Sequence, residues 1–390
     1  MKGKLYRLAI CVLILPSLVL VSCGKSASTT SSNSTQTTSS SQISTSTNST
    51  TSNSSNPIAT AATATITLGT SPVVSPALGP TGLAYDSSKG QIFVANGGVS
   101  SGNNFPPEWF ISDSDNSAVQ AAFSDRSSIP ANGVVYDAGK SEFFLTVSNS
   151  YAVAVMPDAN PAQVATVAVP QTGIYQPNSM VYDSVDGKIF VANGGGGTVL
   201  VISDSTNSVV ATIPMFGASG LAYDSGNGDV YVGTTTLGSG SSYTKSVSVI
   251  SGSTNTVVGT VTLPSGGSYG PMVYDSAQGK VFVTDSSSGA IYVISDSSNK
   301  VVATVTLPKL SNPSAIAYDS GTGEIFVANP GESNAPGNVS IISDKTNTIV
   351  ATVTVGTGPN AFAYDSAKGE MFVSNGVDNT VSVIADSSHK

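Results

Sequence analysis

The chain has 390 residues, only 10% of them are charged, and the formal net charge is −9 at neutral pH. This length is sufficient for one large all-β domain. An acidic surface repels phosphate backbones, so the charge argues against nucleic acid as a partner.

The N-terminus has the pattern of an export signal. Three basic residues precede an apolar run over residues 8–22, which is shorter than the about 20 residues that a spanning helix needs. The "LVSC" of residues 20–23 resembles the lipobox of exported lipoproteins. That resemblance implies cleavage of residues 1–22 and a lipid on the sulfur of Cys23, hence an extracytoplasmic, membrane-anchored protein at the cell surface or in the periplasm. An ordinary secretory signal with a chance cysteine, or an uncleaved anchor, is the alternative.

Residues 23–56 are predicted to form a disordered stalk. Ser, Thr, Asn and Gln dominate this segment, which contains no aromatic residue and cannot bury enough apolar area to offset its ordering entropy. Possible glycosylation sequons begin at Asn33, Asn48, Asn53 and Asn338. Since Cys11 lies in the predicted signal and Cys23 is the predicted lipid site, we expect neither a disulfide nor a cysteine metal site in the folded part.

A repeat occupies residues 57–390. The dipeptide Tyr-Asp recurs seven times at spacings of 41 to 51 residues, with Tyr at positions 85, 136, 182, 223, 274, 318 and 364. Such a period, with several short strands in each copy, is typical of a β-propeller blade. Stacked blades cover apolar faces that one blade alone would expose.

The copy at residues 176–214 shows the four predicted strands of a blade. The strand sequences "SMVYD", "KIFVAN", "TVLVIS" and "SVVATIP" are rich in Val, Ile and Thr and are separated by "SVDG", a glycine run and "DSTN". We expect Gly187 to adopt a positive φ in the first turn. Asp183 and its counterparts should accept backbone N–H bonds there, which is a structural role.

The repeated segments "YDSVDGKIFVAN", "YDSAQGKVFVTD", "YDSGTGEIFVAN" and "YDSAKGEMFVSN" resemble the YVTN-family β-propeller repeat. The resemblance implies a seven-bladed all-β propeller of four-stranded antiparallel blades. It also implies an exported, surface-associated protein of a kind mostly without an assigned activity. Blade 2 departs most from the pattern, with Ser141 in place of the turn glycine.

The last repeat stops after its third strand, and residues 64–69, "ATITLG", match residues 351–356, "ATVTVG". We therefore predict that residues 58–68 supply the missing outer strand of blade 7 and close the ring. Without that strand, residues 380–385 would expose an unpaired sheet edge.

One face of the ring is predicted to carry a binding site for a surface protein or a glycan. The connections between second and third strands and between blades should share this face, and they vary in length. The aromatic candidates are Trp109, Tyr175, Tyr243 and Tyr269. Trp109 has two interpretations, namely packing between blades or a platform for a sugar or peptide.

The start of each innermost strand is predicted to line the axial mouth on this face. The residues four positions before each Tyr are Thr81, Asn132, Asn178, Ser219, Gly270, Ser314 and Asn360. This ring has no titratable group, and His389 is the only histidine in the chain, whereas acid–base chemistry needs a group that titrates near the operating pH. We therefore predict a binding or scaffolding module without a catalytic, cofactor or metal site. The alternative is a lactonase- or lyase-type propeller enzyme that uses a divalent cation.

Overall fold

The structure is a computed structural model, and its chain is described over most of the repeat region. The described residues are 62–68, 79–97, 107–121, 131–147, 152–162, 164–169, 179–237, 243–264, 269–308, 312–332 and 334–386. The predicted signal peptide and stalk lie outside these residues. No helix among them is both long and apolar enough to cross a bilayer.

The described strands form seven four-stranded antiparallel sheets. The first described strand is β1 (Ala64–Thr67). Blade 1 contains β2 (Pro80–Asp86), β3 (Gln91–Asn96), β4 (Trp109–Ser112) and β5 (Ala118–Gln120). Blade 2 contains β6 (Ala131–Asp137), β7 (Glu142–Val147), β8 (Ala152–Pro157) and β9 (Ala165–Ala168). Blade 3 contains β10 (Ser179–Asp183), β11 (Lys188–Asn193), β12 (Thr198–Ser203) and β13 (Ser208–Pro214).

The remaining blades follow the same plan. Blade 4 contains β14 (Leu221–Asp224), β15 (Asp229–Leu237), β16 (Tyr243–Ser251) and β17 (Thr256–Thr262). Blade 5 contains β18 (Tyr269–Asp275), β19 (Lys280–Asp285), β20 (Ala290–Ser295) and β21 (Lys300–Thr306). Blade 6 contains β22 (Ala315–Asp319), β23 (Glu324–Asn329), β24 (Asn338–Ser343) and β25 (Thr348–Thr354). Blade 7 contains β26 (Pro359–Asp365), β27 (Glu370–Asn375) and β28 (Thr380–Ala385), with β1 outermost.

The first strand of each blade packs against the first strands of both neighbours, and β26 packs against β2 to close the circle. This arrangement confirms a seven-bladed β-propeller whose first strands are innermost. The four strands predicted within residues 176–214 have the predicted bounds in blade 3. The glycine run that follows β11 forms a short 3-10 turn over Gly194–Gly196.

The hydrophobic core lies between blades rather than inside them. Among the described residues, one cluster of buried side chains occupies each of the seven seams, a seam being the contact between neighbouring blades. The third residue of every second strand is an aromatic side chain that is at most 1% exposed: Phe93, Phe144, Phe190, Tyr231, Phe282, Phe326 and Phe372. Each sheet therefore needs both neighbours to bury its two faces.

Strand β1 closes the ring, as the sequence predicts. It pairs antiparallel with β28, from Ala64 opposite Val383 to Thr67 opposite Thr380. The amide of Asn379 donates to the carbonyl of Leu68 at 2.9 Å, and the Leu68 side chain is fully buried in the seam between blades 7 and 1. The two distant segments of the chain thus share one sheet and one piece of core.

Candidate binding face

The two faces of the ring differ in the regularity of their loops. All seven turns between first and second strands have four residues. They share what we call the uniform face with the turns between third and fourth strands, which have four residues in blades 3 to 6, five in blade 1 and seven in blade 2. The opposite, variable face carries the connections between second and third strands and between blades. These range from four residues, as at 286–289, to twelve, as at 97–108.

Buried aspartates hold the turns of the uniform face. The last residue of every first strand is an aspartate that is at most 1% exposed: Asp86, Asp137, Asp183, Asp224, Asp275, Asp319 and Asp365. In each, Oδ1 accepts the backbone N–H groups two and three residues later. For Asp183 these two bonds are 3.0 and 3.1 Å long. The predicted structural role of the aspartates is confirmed.

In six of the seven blades, the repeated tyrosine lies beside two carboxylates, one from the preceding blade and one from its own. In blade 4, Gly252 stands where the other blades have the second of these aspartates. The phenol of Tyr182 donates to Asp204 at 3.4 Å and also faces Asp137 of blade 2. The phenol of Tyr274 likewise donates to Asp296 at 3.1 Å and faces Asp224 of blade 4. Burial, with these negative neighbours, raises the pKa of both phenols, so they stay protonated as donors.

Lysines add a second contact across four of the seven seams on the uniform face. Lys188 donates to the carbonyl of Gly252 at 2.5 Å, and Lys280 donates to the carbonyl of Asp344 at 2.5 Å. Lys89 and Lys368 donate in the same way to the carbonyls of Asp158 and Asp113. Contacts between neighbouring blades thus account for the geometry that the blades share on this face.

The seam between blades 6 and 7 has an acidic residue at a position that is lysine in two other blades. Glu324 stands at the first position of its second strand, where blades 3 and 5 have Lys188 and Lys280. Burial, followed by the charges of Asp319 and Asp386, raises the pKa of Glu324 to about 6. This seam therefore carries an excess of acid without the lysine tie.

The axial ring of hydroxyls on the variable face also ties blades together. The hydroxyl of Thr81 donates to the carbonyl of Ala131 in the next blade at 2.7 Å, and that of Ser314 donates to the carbonyl of Pro359 at 2.6 Å. At the third site, Ser219 donates to the carbonyl of Tyr269 at 3.4 Å. These hydroxyls are therefore engaged in holding neighbouring first strands.

Two of the predicted aromatic candidates have described side chains. Trp109 is partly exposed and packs against the core cluster between blades 7 and 1, as in its interpretation as a packing residue. Tyr269 is buried between blades 4 and 5, donates its hydroxyl to the carbonyl of Pro264 at 2.5 Å, and meets Tyr292 edge to face. Lys245 lies 5.9 Å from the centre of the Tyr269 ring. Both aromatic residues thus contribute to seams.

The polar candidates are only partly described. Asn360 accepts the hydroxyl of Ser374 at 2.5 Å, and Oδ1 of Asn338 accepts the amide of Asn329 at 3.0 Å. Asn132 and Tyr243 lie in β6 and β16, but their side chains are outside the described ones. The other predicted sites fall outside the described residues: Cys23, Asn33, Asn48, Asn53, Tyr175 and Asn178.

The described residues form at least two cavities that were not predicted from the sequence. One, of about 470 Å³, lies on the axis and is lined by first strands, including Tyr85, Tyr136 and Tyr182. The other, of about 370 Å³, lies at the seam between blades 3 and 4 and is lined by residues such as Phe216 and Ser248. Within the described part of the chain, no cluster of three or more His, Cys, Asp and Glu side chains has the geometry of a metal site.

Comparison with known proteins identifies the fold and leaves the family open. The chain matches no protein-family model, and no curated protein is similar to it in sequence. Many solved structures are similar in fold. One is a chain of a structure described as "Crystal Structure of Mitotic Checkpoint Complex", with 12% identity, a TM-score of 0.65, and coverage of 89% of this chain and 98% of that one. Another is a chain of Kuenenia stuttgartiensis hydrazine synthase, with 15% identity, a TM-score of 0.67, and coverage of 83% and 99%. At these identities the similarity extends to the propeller fold alone.

Proposed function

We propose that this protein is a non-enzymatic binding or scaffolding module of the YVTN-repeat kind, anchored by lipid outside the cytoplasm. Its partner is a protein or glycan of the cell envelope, which it contacts through the variable face. The observation that carries this proposal is the asymmetry between the two faces of the ring. A rigid ring with regular turns on one side and diverse loops on the other is a suitable scaffold for recognition.

The contacts of the uniform face support the same assignment. Its aspartates, tyrosines and lysines are occupied by turn and seam contacts, as for Asp183, Tyr182 and Lys188. These repeated side chains are therefore engaged within the ring rather than free to contact a partner. The hairpin of β15 and β16, with nine residues in each strand, extends the variable face further at blade 4.

The binding proposal is tested by capturing partners from the native envelope with the full-length protein. Replacing residues 98–106, or residues 238–242, with a short Gly/Ser turn should reduce capture of a partner that uses the variable face. As a matched control, Val185→Ala changes a 73% exposed side chain on the uniform face and should leave capture unchanged. Loss of capture in the control alone would place the binding site on the opposite face.

The anchoring proposal rests on the "LVSC" sequence that ends at Cys23. Cys23→Ala removes the thiol that would carry the lipid, and two or more acyl chains are needed for stable membrane attachment. We expect the variant to move from the detergent phase to the aqueous phase in a detergent-partitioning experiment. Unchanged partitioning would mean that the apolar segment over residues 8–22 is the anchor.

A further inference from the structure

We propose that the cavity at the seam between blades 3 and 4 is a binding pocket for a neutral sugar ring. The cavity has a volume of about 370 Å³ and lies beside the connection between these blades, on the variable face. Small-molecule pockets have volumes of roughly 300–1,000 Å³, so the space is large enough for a hexose. This inference rests on the proposed binding function and gives it a ligand class.

The cavity follows from one small residue in the third strand of blade 4. Ser248 lies opposite Val232, and the corresponding residue in blade 3 is Leu200, opposite Val191. Leu200 is buried in the core between blades 2 and 3. Blade 5 fills the same position with Tyr292, which packs into the core between blades 4 and 5.

A second small residue in blade 4 keeps the space open. Blades 6 and 7 also have serine at this position, but a neighbouring asparagine compensates there. Asn329 donates to Ser340 at 3.0 Å, and Asn375 donates to Ser382 at 2.9 Å. Asn329 and Asn375 are the sixth residues of their second strands, and the sixth residue of the second strand in blade 4 is Thr234. Blade 2 has Ala154 at this position, and the apolar Val147 packs against the core there. In blade 4, Ser248 and Thr234 together leave the seam without a large apolar side chain or an asparagine at these two positions.

One wall of the pocket is built from hydroxyl groups. The Thr234 hydroxyl lies 3.0 Å from the Ser246 hydroxyl and 3.3 Å from the Ser248 hydroxyl. Thr235 adds a further hydroxyl to the lining. Because a hydroxyl both donates and accepts, and its proton rotates, this wall can match ligand hydroxyls in more than one arrangement.

The rest of the lining is apolar, and part of it is joined to β15 by a backbone hydrogen bond. Phe216 is 60% exposed, and its carbonyl accepts the N–H of Thr235 at 3.1 Å. Met215 and Val257 extend this wall. This bond fixes the backbone that carries the Phe216 ring next to β15, and the exposed ring offers a flat apolar surface.

A sugar ring has the same two-sided character as the pocket. Its C–H groups form an apolar face, and its hydroxyls both donate and accept hydrogen bonds. The lining contains no ionisable side chain, so a charged ligand would lose hydration without gaining a partner. A purely apolar ligand would leave unused the hydrogen-bonding capacity that these hydroxyls keep beyond their bonds to one another. The neutral sugar satisfies both walls.

The test is an NMR titration of the purified full-length protein with methyl pyranosides of glucose, galactose, mannose and N-acetylglucosamine, which gives a dissociation constant for each ligand. Cyclohexanol, a six-membered ring with one hydroxyl, serves as the comparison ligand. We expect at least one pyranoside to bind more tightly than cyclohexanol. Ser248→Leu, which supplies the side chain that blade 3 has, should weaken that binding by at least about tenfold while thermal stability is kept.

Phe216→Ala is a second variant, and its exposed site makes a folding defect improbable. We expect it to weaken pyranoside binding as well, whereas Val302→Ala, at a 55% exposed position on the outer strand of blade 5, should not. The sugar assignment is overturned if no pyranoside binds, if cyclohexanol binds equally well, or if both pocket variants bind as the parent does. A captured envelope partner that Ser248→Leu retains, but the loop replacements lose, would leave the binding function standing and reject only the sugar pocket.

Discussion

Residue-level geometry explains how blade 2 keeps the turn of the other blades without their glycine. Ser141 has a φ of +57°, and Gly187 at the same position of blade 3 has a φ of +63°. The carbonyls of both residues accept an N–H bond from the next turn of their blade, from Asp158 at 3.0 Å and from Asp204 at 3.1 Å. The turn has therefore been retained at the cost of a strained backbone conformation for serine.

Ser141→Gly is expected to stabilise the protein. A residue with a Cβ costs roughly 1 kcal/mol in the left-handed region, and glycine removes this cost. The greater freedom of glycine in the unfolded chain and the lost contact of Ser141 with Tyr136 reduce the gain to about 0.5 kcal/mol. Urea unfolding of the parent and the variant measures the difference.

Gly187→Ser is the reciprocal control for this experiment. It introduces the same strain into blade 3, where a Cβ would also lie 2.7 Å from Oδ1 of Asp204. We expect it to destabilise the protein. If Ser141→Gly also lowers the free energy of unfolding, the serine side chain contributes more to the turn than its backbone costs.

At the scale of blades and seams, much of the architecture could be predicted from local sequence. The strands and tight turns of each blade depend on nearby residues, so the recurrence of Tyr-Asp predicted the number of blades. The match between residues 64–69 and 351–356 predicted the strand that closes the ring. The seam contacts could not be predicted in this way. The acceptor of the Thr81 hydroxyl is fifty residues away, and the cavity at Ser248 appears only when neighbouring blades are compared position by position.

The acidic seam between blades 6 and 7 predicts a pH dependence of stability. The pKa of Glu324 is about 6 in the folded protein and about 4.5 for the unperturbed group, so folding favours the protonated carboxyl. The corresponding stability is fully present below about pH 4.5 and is lost as the pH rises through about 6. Ionised Glu324 therefore weakens this seam at neutral pH.

Glu324→Gln should remove this weakness. At about pH 8, the free energy of unfolding from urea titration should be about 1 kcal/mol higher in the variant than in the parent, after the partial exposure of Glu324 is discounted. At about pH 4, the two proteins should have the same free energy of unfolding. Glu370→Gln in blade 7 is the matched control, because Lys368 offsets part of the increase in the pKa of Glu370. Equal gains from the two substitutions would contradict a special role for the seam between blades 6 and 7.

At the scale of the whole molecule, the ring depends on a contact between distant parts of the chain. Removing residues 57–68 would delete β1, expose the edge of β28, and take Ile66 and Leu68 out of the core. We expect a clear decrease in melting temperature or aggregation on heating. Removing residues 26–55 instead tests the predicted stalk and should leave the melting temperature nearly unchanged. Identical behaviour of the two variants would show that β1 adds little to closure.

The pairing of β1 with β28 also sets an order of events during synthesis. Ala64 pairs with Val383, so the first described strand cannot pair until the seventh blade has been synthesised. Contacts over such a sequence separation form slowly, because the loop entropy is lost before the contact gives any stabilisation. Six blades can assemble from strands that are neighbours in sequence, whereas the seventh joins the newest strands to the oldest one. The ring can therefore close only after the whole repeat region has been synthesised.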